Sequence, residues 1–342
     1  MARYDVTVRG AGIFGLSIAY EAAKRGAKVQ VIETVAIGAG SSGGLVGALT
    51  PHVPDSWNAK KAFQFESLLM AQAFWDGVAQ AGGADTGYAR LGRLQPIEGG
   101  AGVELARARV AGAAQNWGDH AVWEIRQATG AAWEPVSPSG YLVFDNLSAR
   151  LHPRRAGAAL AAAITALGGR VIVGDAADQG HVIWATGLAG LADLGHDLGR
   201  PMGGGVKGQA ALLAYDARAL PQVYADSLHI VPHSDGSVAI GSTSENTWDD
   251  AAATDDRLDA LITRARAIVP ALAAAHVIDR WAGIRPRAMT RAPILGAWPN
   301  RAGHFVANGG FKIGFGMAPK IAHVMADLVL DGRDAIPPDF RL

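Results

Sequence analysis

An α/β fold is predicted for this chain of 342 residues, with α/β units at both ends and a β-rich middle. Three observations predict it. Residues 5–15 read Asp-Val-Thr-Val-Arg-Gly-Ala-Gly-Ile-Phe-Gly, which gives a short strand, a Gly-x-Gly-x-x-Gly turn and the start of a helix. Residues 29–33, Val-Gln-Val-Ile-Glu, make a second apolar strand closed by an acid. Between residues 206 and 241, apolar segments are separated by turn residues, the pattern of antiparallel strands.

The order strand, glycine turn, helix, strand, acid is what a dinucleotide-binding βαβ unit needs. Gly10 permits the tight turn, Gly12 lets the backbone approach a pyrophosphate, and Gly15 lets the helix pack closely on the sheet. Ile13 and Phe14 open the helix, whose free N–H groups and partial positive charge would face the phosphates. Glu33 is placed to accept hydrogen bonds from an adenosine ribose. In a chain with 44 glycines the turn alone is weak; its flanks and the spacing to the acid carry the assignment.

The remaining elements follow in order. The first strand spans residues 4–9 and the first helix 13–25, with Ile13, Leu16, Ala19 and Ala23 on one face and Gly26 as its stop. Residues 36–51 form a small, glycine-rich loop. Periodicity predicts a helix over 63–81 and strands over 88–96 and 140–144. Residues 100–133 carry no readable pattern, and their Trp117, Trp123 and Trp133 are assigned to the core. A helix over 153–167 feeds strands at 170–173 and 181–185. Strands at 206–213, 228–232 and 237–241 follow, the last two joined by the turn Ser234-Asp-Gly236. A helix over 255–269 ends at Pro270, strands return at 282–287 and 304–307, and a helix over 319–330 closes the pattern. The simplest architecture is a discontinuous nucleotide-binding domain, residues 1–84, 145–204 and 290–342, interrupted by a smaller substrate domain, residues 85–144 and 205–289.

Composition bounds the function. Hydrophobic residues make up 49% and charged residues 18%, as in a globular protein. The 31 basic and 31 acidic side chains cancel, so no electrostatic surface for nucleic acid is expected. With no cysteine, disulfides, thiolate metal sites, iron–sulfur clusters and a cysteine-linked flavin are excluded. The ten histidines show no ligand spacing, and no metal is expected. Apolar stretches such as 156–167 are too short to span a bilayer, and the first strand begins at once, with no signal peptide ahead of it. A cytoplasmic protein is expected.

Six further segments matter together with the glycine turn. They are Gly-Ser-Ser-Gly-Gly-Leu-Val-Gly-Ala-Leu (40–49), Ile-Trp-Ala-Thr-Gly (183–187), Lys-Gly-Gln (207–209), Ala-Ile-Gly-Ser-Thr (239–243), Trp-Ala-Gly-Ile-Arg-Pro (281–286) with Pro-Ile-Leu-Gly (293–296), and Gly-Gly-Phe-Lys-Ile-Gly-Phe-Gly-Met-Ala-Pro (309–319). In this order they resemble the FAD-dependent amino-acid oxidase family, whose members include glycine oxidase, D-amino-acid oxidase and monomeric sarcosine oxidase. The resemblance covers almost the whole chain. It implies a Rossmann-like FAD-binding domain and non-covalent FAD.

Position by position, the resemblance implies that Gly10, Gly12 and Gly15 hold the pyrophosphate and Glu33 the ribose. Ser41 and Ser42 would add phosphate contacts. Gly47, Ala48 and Leu49 would lie against the flavin ring, and Thr186 and Gly187 would approach the cofactor from a strand end. Gly310, Lys312, Ile313 and Gly314 would border the pyrimidine side of the flavin, with Gly314 leading into a helix whose dipole stabilises the reduced ring. Arg285 matches the arginine of the family's Gly-Leu-Arg-Pro motif, which anchors the substrate carboxylate. A planar guanidinium suits that task through two parallel hydrogen bonds. Lys312 matches a basic position beside the flavin.

Some positions depart from the family. Arg9 stands where an apolar strand residue is usual, and alternation puts it on one face with Thr7 and Asp5. His229 falls where many amino-acid oxidases place a pocket tyrosine, and both a pocket position and a half-exposed strand position are open to it. Thr290 replaces an acid. Residues 174–180 are very short where relatives carry an extra β-excursion.

The resemblance implies oxidation of the C–N bond of a small amino acid or secondary amine bearing a carboxylate. A hydride would pass to flavin N5, with oxygen or another acceptor taking the electrons. A 2-hydroxy acid would use the same arginine, and a flavin-binding accessory protein would share the fold. An NAD(P)-dependent dehydrogenase would share the glycine turn, with Glu33 disfavouring NADP, but would leave the glycine-rich segment 309–319 unexplained. The Gly-x-Ser-x-Gly of residues 40–44 lacks the strand and helix a hydrolase elbow needs.

Overall fold

The computed structural model describes residues 4–342. Two sheets dominate. The first has six strands in the order Ile294–Ala297, His304–Asn308, His181–Trp184, Val6–Arg9, Val29–Glu33 and Arg170–Val173. All neighbours are parallel except Ile294–Ala297, which runs antiparallel to His304–Asn308. The chain builds outward from Val6–Arg9 in one direction, then returns to its other side with His181–Trp184. That reversal leaves a crevice at the carboxyl ends of the two strands, the place where open α/β sheets bind ligands.

Val6 and Val8 are fully buried beneath helix Ile13–Lys24. Pro153–Ala166 and Gly314–Asp331 flank this helix, and Ala59–Gly82 packs on both. The opposite face of the sheet is polar. There Thr7 Oγ1 donates to the Gln179 carbonyl at 2.7 Å and Gln30 Nε2 to the Ala177 carbonyl at 2.8 Å. Arg9 Nε donates to Asp178 at 2.7 Å, Nη2 donates to the Ala176 carbonyl at 3.0 Å, and the guanidinium lies 5.6 Å from the Trp184 ring. The short segment 174–180 therefore lies across the sheet, and the alternating Thr7 and Arg9 are its docking points.

The second sheet has eight strands in the order Val277–Ala288, Gly203–Ala214, Ser237–Gly241, Leu228–Pro232, Gln222–Ala225, Arg93–Pro96, Tyr141–Asp145 and Trp123–Gln127. It is antiparallel throughout except between Gln222–Ala225 and Arg93–Pro96, which are parallel. Helix Asp256–Ile268 buries Leu258, Leu261, Ile262 and Ala265 in its core, and Asp255 caps it by accepting from the Arg257 N–H.

Several elements differ from expectation. The helix expected over 63–81 begins at Ala59, because Asn58 caps it through the Lys61 N–H at 3.0 Å. The strand expected over 88–96 is confined to Arg93–Pro96. Residues 100–133 hold helix Gly100–Trp117 and strand Trp123–Gln127. The helix was hidden because its buried positions include the small Ala106 and Ala113 while its outer face carries Leu105 and Val110, which blurs the contrast between the faces. Trp117, Trp123 and Trp133 are buried in hydrophobic clusters. Helix Gly187–Leu198 and strands Gln222–Ala225 and Ile294–Ala297 were not expected, being glycine-rich or very short. The final helix starts at Gly314, and Pro319 lies inside it. The N–H of the adjacent Lys320 donates to Ser67 Oγ at 3.2 Å. Among the described residues no helix is long and apolar enough to cross a membrane.

Candidate active site

A cavity of about 860 Å³ runs from the crevice in the first sheet to the concave face of the second. Its volume lies in the upper range of small-molecule sites. All but three of the residues expected to hold cofactor or substrate line it. The exceptions are Gly15, Leu49 and Ile313, which stand behind the lining.

The glycine turn forms one end. Gly10 has φ +101°, and a Cβ there would stand 2.5 Å from the Ala185 carbonyl oxygen. A Cβ on Gly15 would stand 2.0 Å from the Gly10 carbonyl oxygen, so this glycine seats the helix on the strand. The helix opens at Gly12 without a side-chain cap, and the Ile13 N–H donates to Ser42 Oγ at 2.9 Å. Glu33 accepts from the Ala11 N–H at 2.9 Å through one oxygen and from the Val35 N–H at 3.0 Å through the other. Its carboxylate thus ties the turn to the end of the second strand. Thr186 also lines the cavity, with its Oγ1 buried against Gly190 and without a partner among the described residues. A helix N-terminus opening on the cavity, a glycine turn where a Cβ would not fit and an acid at the end of the second strand are a set that fits a dinucleotide.

The other end is built by paired strands. Arg285 sits on Val277–Ala288, opposite Val206. Only 7% of it is exposed. Nη1 donates to Ser242 Oγ at 2.5 Å, and Nη2 donates to the carbonyls of Thr243 at 2.7 Å and Lys207 at 3.1 Å. Its Nε is buried without a partner. Burial lowers its pKa to about 10, with Glu245 acting in the opposite direction. Lys312 also has a lowered pKa, through burial and then the charge of Arg285.

His229 lines the cavity, and burial, then Arg93 and Lys312, push its pKa down to about 3. Tyr224 lies directly across the sheet from it, with ring centroids 4.6 Å apart. The wall therefore offers a tyrosine, from the neighbouring strand. Sequence reasoning missed Tyr224 because its strand is only four residues long. It also missed Trp281 and Phe311, which line the cavity beside Arg285 and Lys312. Phe311 has φ +44°, an unusual conformation for a bulky residue.

Residues 5–328 match the family of FAD-dependent oxidoreductases. The chain belongs to this family. FAD is its cofactor, and the protein is a flavoenzyme. The chain is similar to glycine oxidase from Geobacillus kaustophilus, 29% identical over 360 residues that cover 96% of this chain and 93% of that one. The crystal structure of glycine oxidase from Geobacillus kaustophilus superposes with a TM-score of 0.86 at 24% identity, covering 100% of this chain and 99% of that one. The crystal structure of iminodiacetate oxidase from Chelativorans sp. BNC1 gives a TM-score of 0.85 at 21% identity, covering 98% of each chain. These two likenesses establish the fold.

Proposed function

We propose that this flavoenzyme oxidises the C–N bond of a small amine or amino acid bearing a carboxylate. The observation that carries the reading is Arg285, a buried arginine lining the cavity with no carboxylate within 4 Å among the described residues. A guanidinium held only by a hydroxyl and two carbonyls keeps its positive charge uncompensated, and a substrate carboxylate would supply the missing partner. The similarity to glycine oxidases supports an amino-acid substrate.

In this reading FAD, when bound, supplies the two-electron acceptor for a hydride from the α-carbon. Gly10, Gly12, Ile13 and Phe14 frame the pyrophosphate, with Ser41 and Ser42 beside them. Glu33 takes the ribose, and Thr186 and Gly187 close the near wall. Gly47, Ala48, Gly310 and Gly314, which line the cavity with little or no side chain, would leave room for the ring. Arg285 and Lys312 hold the carboxylate and fix the α-carbon. Their charges also disfavour the ammonium form of the adjacent amine, so the substrate binds with its nitrogen lone pair free. His229, uncharged, and Tyr224 close the pocket against water. The acids in the lining, Glu33 and Asp193, stand among the residues of the nucleotide end, and no step requires one at the substrate. The simplest division of labour gives residues 1–84, 145–204 and 290–342 to the cofactor and the rest to the substrate.

Anaerobic reduction tests the reading. Glycine, sarcosine, D- and L-amino acids, proline analogues and 2-hydroxy acids are added to the FAD-loaded protein while its visible absorption is followed. Bleaching by an amine, lost in Arg285→Ala, is the expected result. Bleaching by 2-hydroxy acids alone replaces the amine with an alcohol, and no bleaching at all overturns the proposal.

A further inference from the structure

Three cations surround one ring at the substrate end. The Phe311 centroid is 5.6 Å from Arg285 Cζ, 5.7 Å from Arg287 Cζ and 5.7 Å from Lys312 Nζ. Arg285 and Arg287 alternate along Val277–Ala288 and so project from the same side of the strand. Arg287 is half-buried, and its side-chain partner is Asn246 Oδ1 at 3.5 Å. None of the three cations has a carboxylate within 4 Å among the described residues. Arg9, Arg25 and Arg93 do pair with an aspartate, Asp178, Asp327 and Asp145 respectively, whereas the buried Arg150 is held, like Arg285, by a carbonyl and no carboxylate. Glu33, the acid tied to the glycine turn, has both oxygens engaged by backbone N–H groups.

Cation–π contact with Phe311 offsets part of the mutual repulsion of the three cations. It leaves the charge itself uncompensated. A substrate with a single carboxylate neutralises one charge where three converge. Arg285 and Lys312 are accounted for by that carboxylate, and Arg287 is not.

We propose that Arg287 reads a second anionic group, so that the substrate of this site is an amine carrying two carboxylates. The first carboxylate sits on Arg285 and Lys312, and the second reaches past the edge of Phe311 to Arg287. Arg287 is not itself among the residues that line the cavity; it meets the lining at Phe311, and the segment that supplies its partner Asn246 continues to Ala251 and Ala252, which do line it. The substrate class rests on the amine-oxidising reading above, whereas the anion subsite itself is independent of turnover.

The test uses non-reacting anions. Acetate and glutarate are titrated into the FAD-loaded protein at constant ionic strength, and the shift of the flavin absorption band gives each affinity. Glutarate is expected to bind at least tenfold more tightly than acetate, and Arg287→Gln to shrink that ratio about tenfold, with partial recovery in Arg287→Lys. Unchanged flavin spectrum and melting temperature establish that the variants fold. Equal affinities in the wild type, or a ratio that Arg287→Gln leaves intact, overturns the proposal. Amines that bleach the flavin without any dicarboxylate preference sink this inference alone. A dicarboxylate preference in a protein that no amine reduces upholds the subsite and sinks the amine reading.

Discussion

The guanidinium of Arg285 lies face-on against the backbone of Gly208. A Cβ built on Gly208 would stand 2.4 Å from Nη2, 2.5 Å from Cζ and 2.6 Å from Nη1, almost equidistant from the whole plate. Gly208 and Gly283 are directly paired across the two strands, which leaves a side-chain gap in the sheet face that Arg285 fills over Gly208 and Trp281 fills over Gly283. Arg285, the proposed carboxylate anchor, is thus seated on a residue that has no side chain.

Gly208→Ala should lift Arg285 from this seat. The cost is the loss of some or all of its contacts to Ser242, Thr243 and Lys207. Acetate affinity, read from the flavin band, should fall roughly 10- to 100-fold, the weight of about 1.5–3 kcal/mol for a charge-assisted contact. FAD affinity should change little, since Gly208 is remote from the glycine turn. Equal loss of both would mean that the strand pair had collapsed.

Glu33→Gln should weaken FAD binding. Both carboxylate oxygens accept backbone N–H groups, so an amide places its NH₂ against one of two donors. Titration of the apoprotein with FAD, followed by protein fluorescence, should show about tenfold lower affinity or worse. An unaltered affinity would remove Glu33 from the cofactor site.

The pH profile of kcat/KM should lack a histidine inflection. His229, with its pKa pushed to about 3, is neutral from pH 5 upward. His229→Gln should alter the height of the profile and leave its inflections in place. An inflection between pH 5 and 8 that vanishes in this variant would contradict the assignment.

Acid should destabilise the fold through His233. This residue is fully buried, its Nε2 lies 2.8 Å from the Leu45 carbonyl, and burial lowers its pKa to about 4. The unfolded chain binds this proton at a higher pH than the folded chain. The stabilisation is therefore complete above the ordinary histidine pKa and is lost as pH falls toward 4. The slope reaches about 1.4 kcal/mol per pH unit. Urea unfolding between pH 7 and 4.5 should show a shallower decline for His233→Gln than for the wild type. Parallel declines would assign the acid sensitivity elsewhere.

The glycine turn and Glu33 were legible because a short motif imposes local geometry that reads directly from spacing, whereas Arg285 and Lys312 were singled out only by the family resemblance. The Gly100–Trp117 helix was not, because Ala106 and Ala113 bury surface without raising the contrast between its faces. Arg9 shows the intermediate case. Alternation placed it on the correct face with Thr7, but its partner Asp178 lies far along the chain. Tyr224 and Phe311 reach the cavity through a four-residue strand and a left-handed φ, neither of which has a periodic signature. Local patterns record which face a residue occupies, and long-range pairing decides what it meets.

The first sheet is assembled from three distant stretches of chain, with Val6–Glu33 at its centre and His304–Asn308 at its far side. During synthesis the glycine turn emerges some three hundred residues before Gly310 and Lys312, which line the same cavity. Domains dominated by such non-local pairings fold slowly, and their nascent forms expose unpaired strand edges. A nascent chain carrying the glycine turn is therefore a poor trap for cofactor, and flavin uptake becomes a late event that reports on completion of the fold.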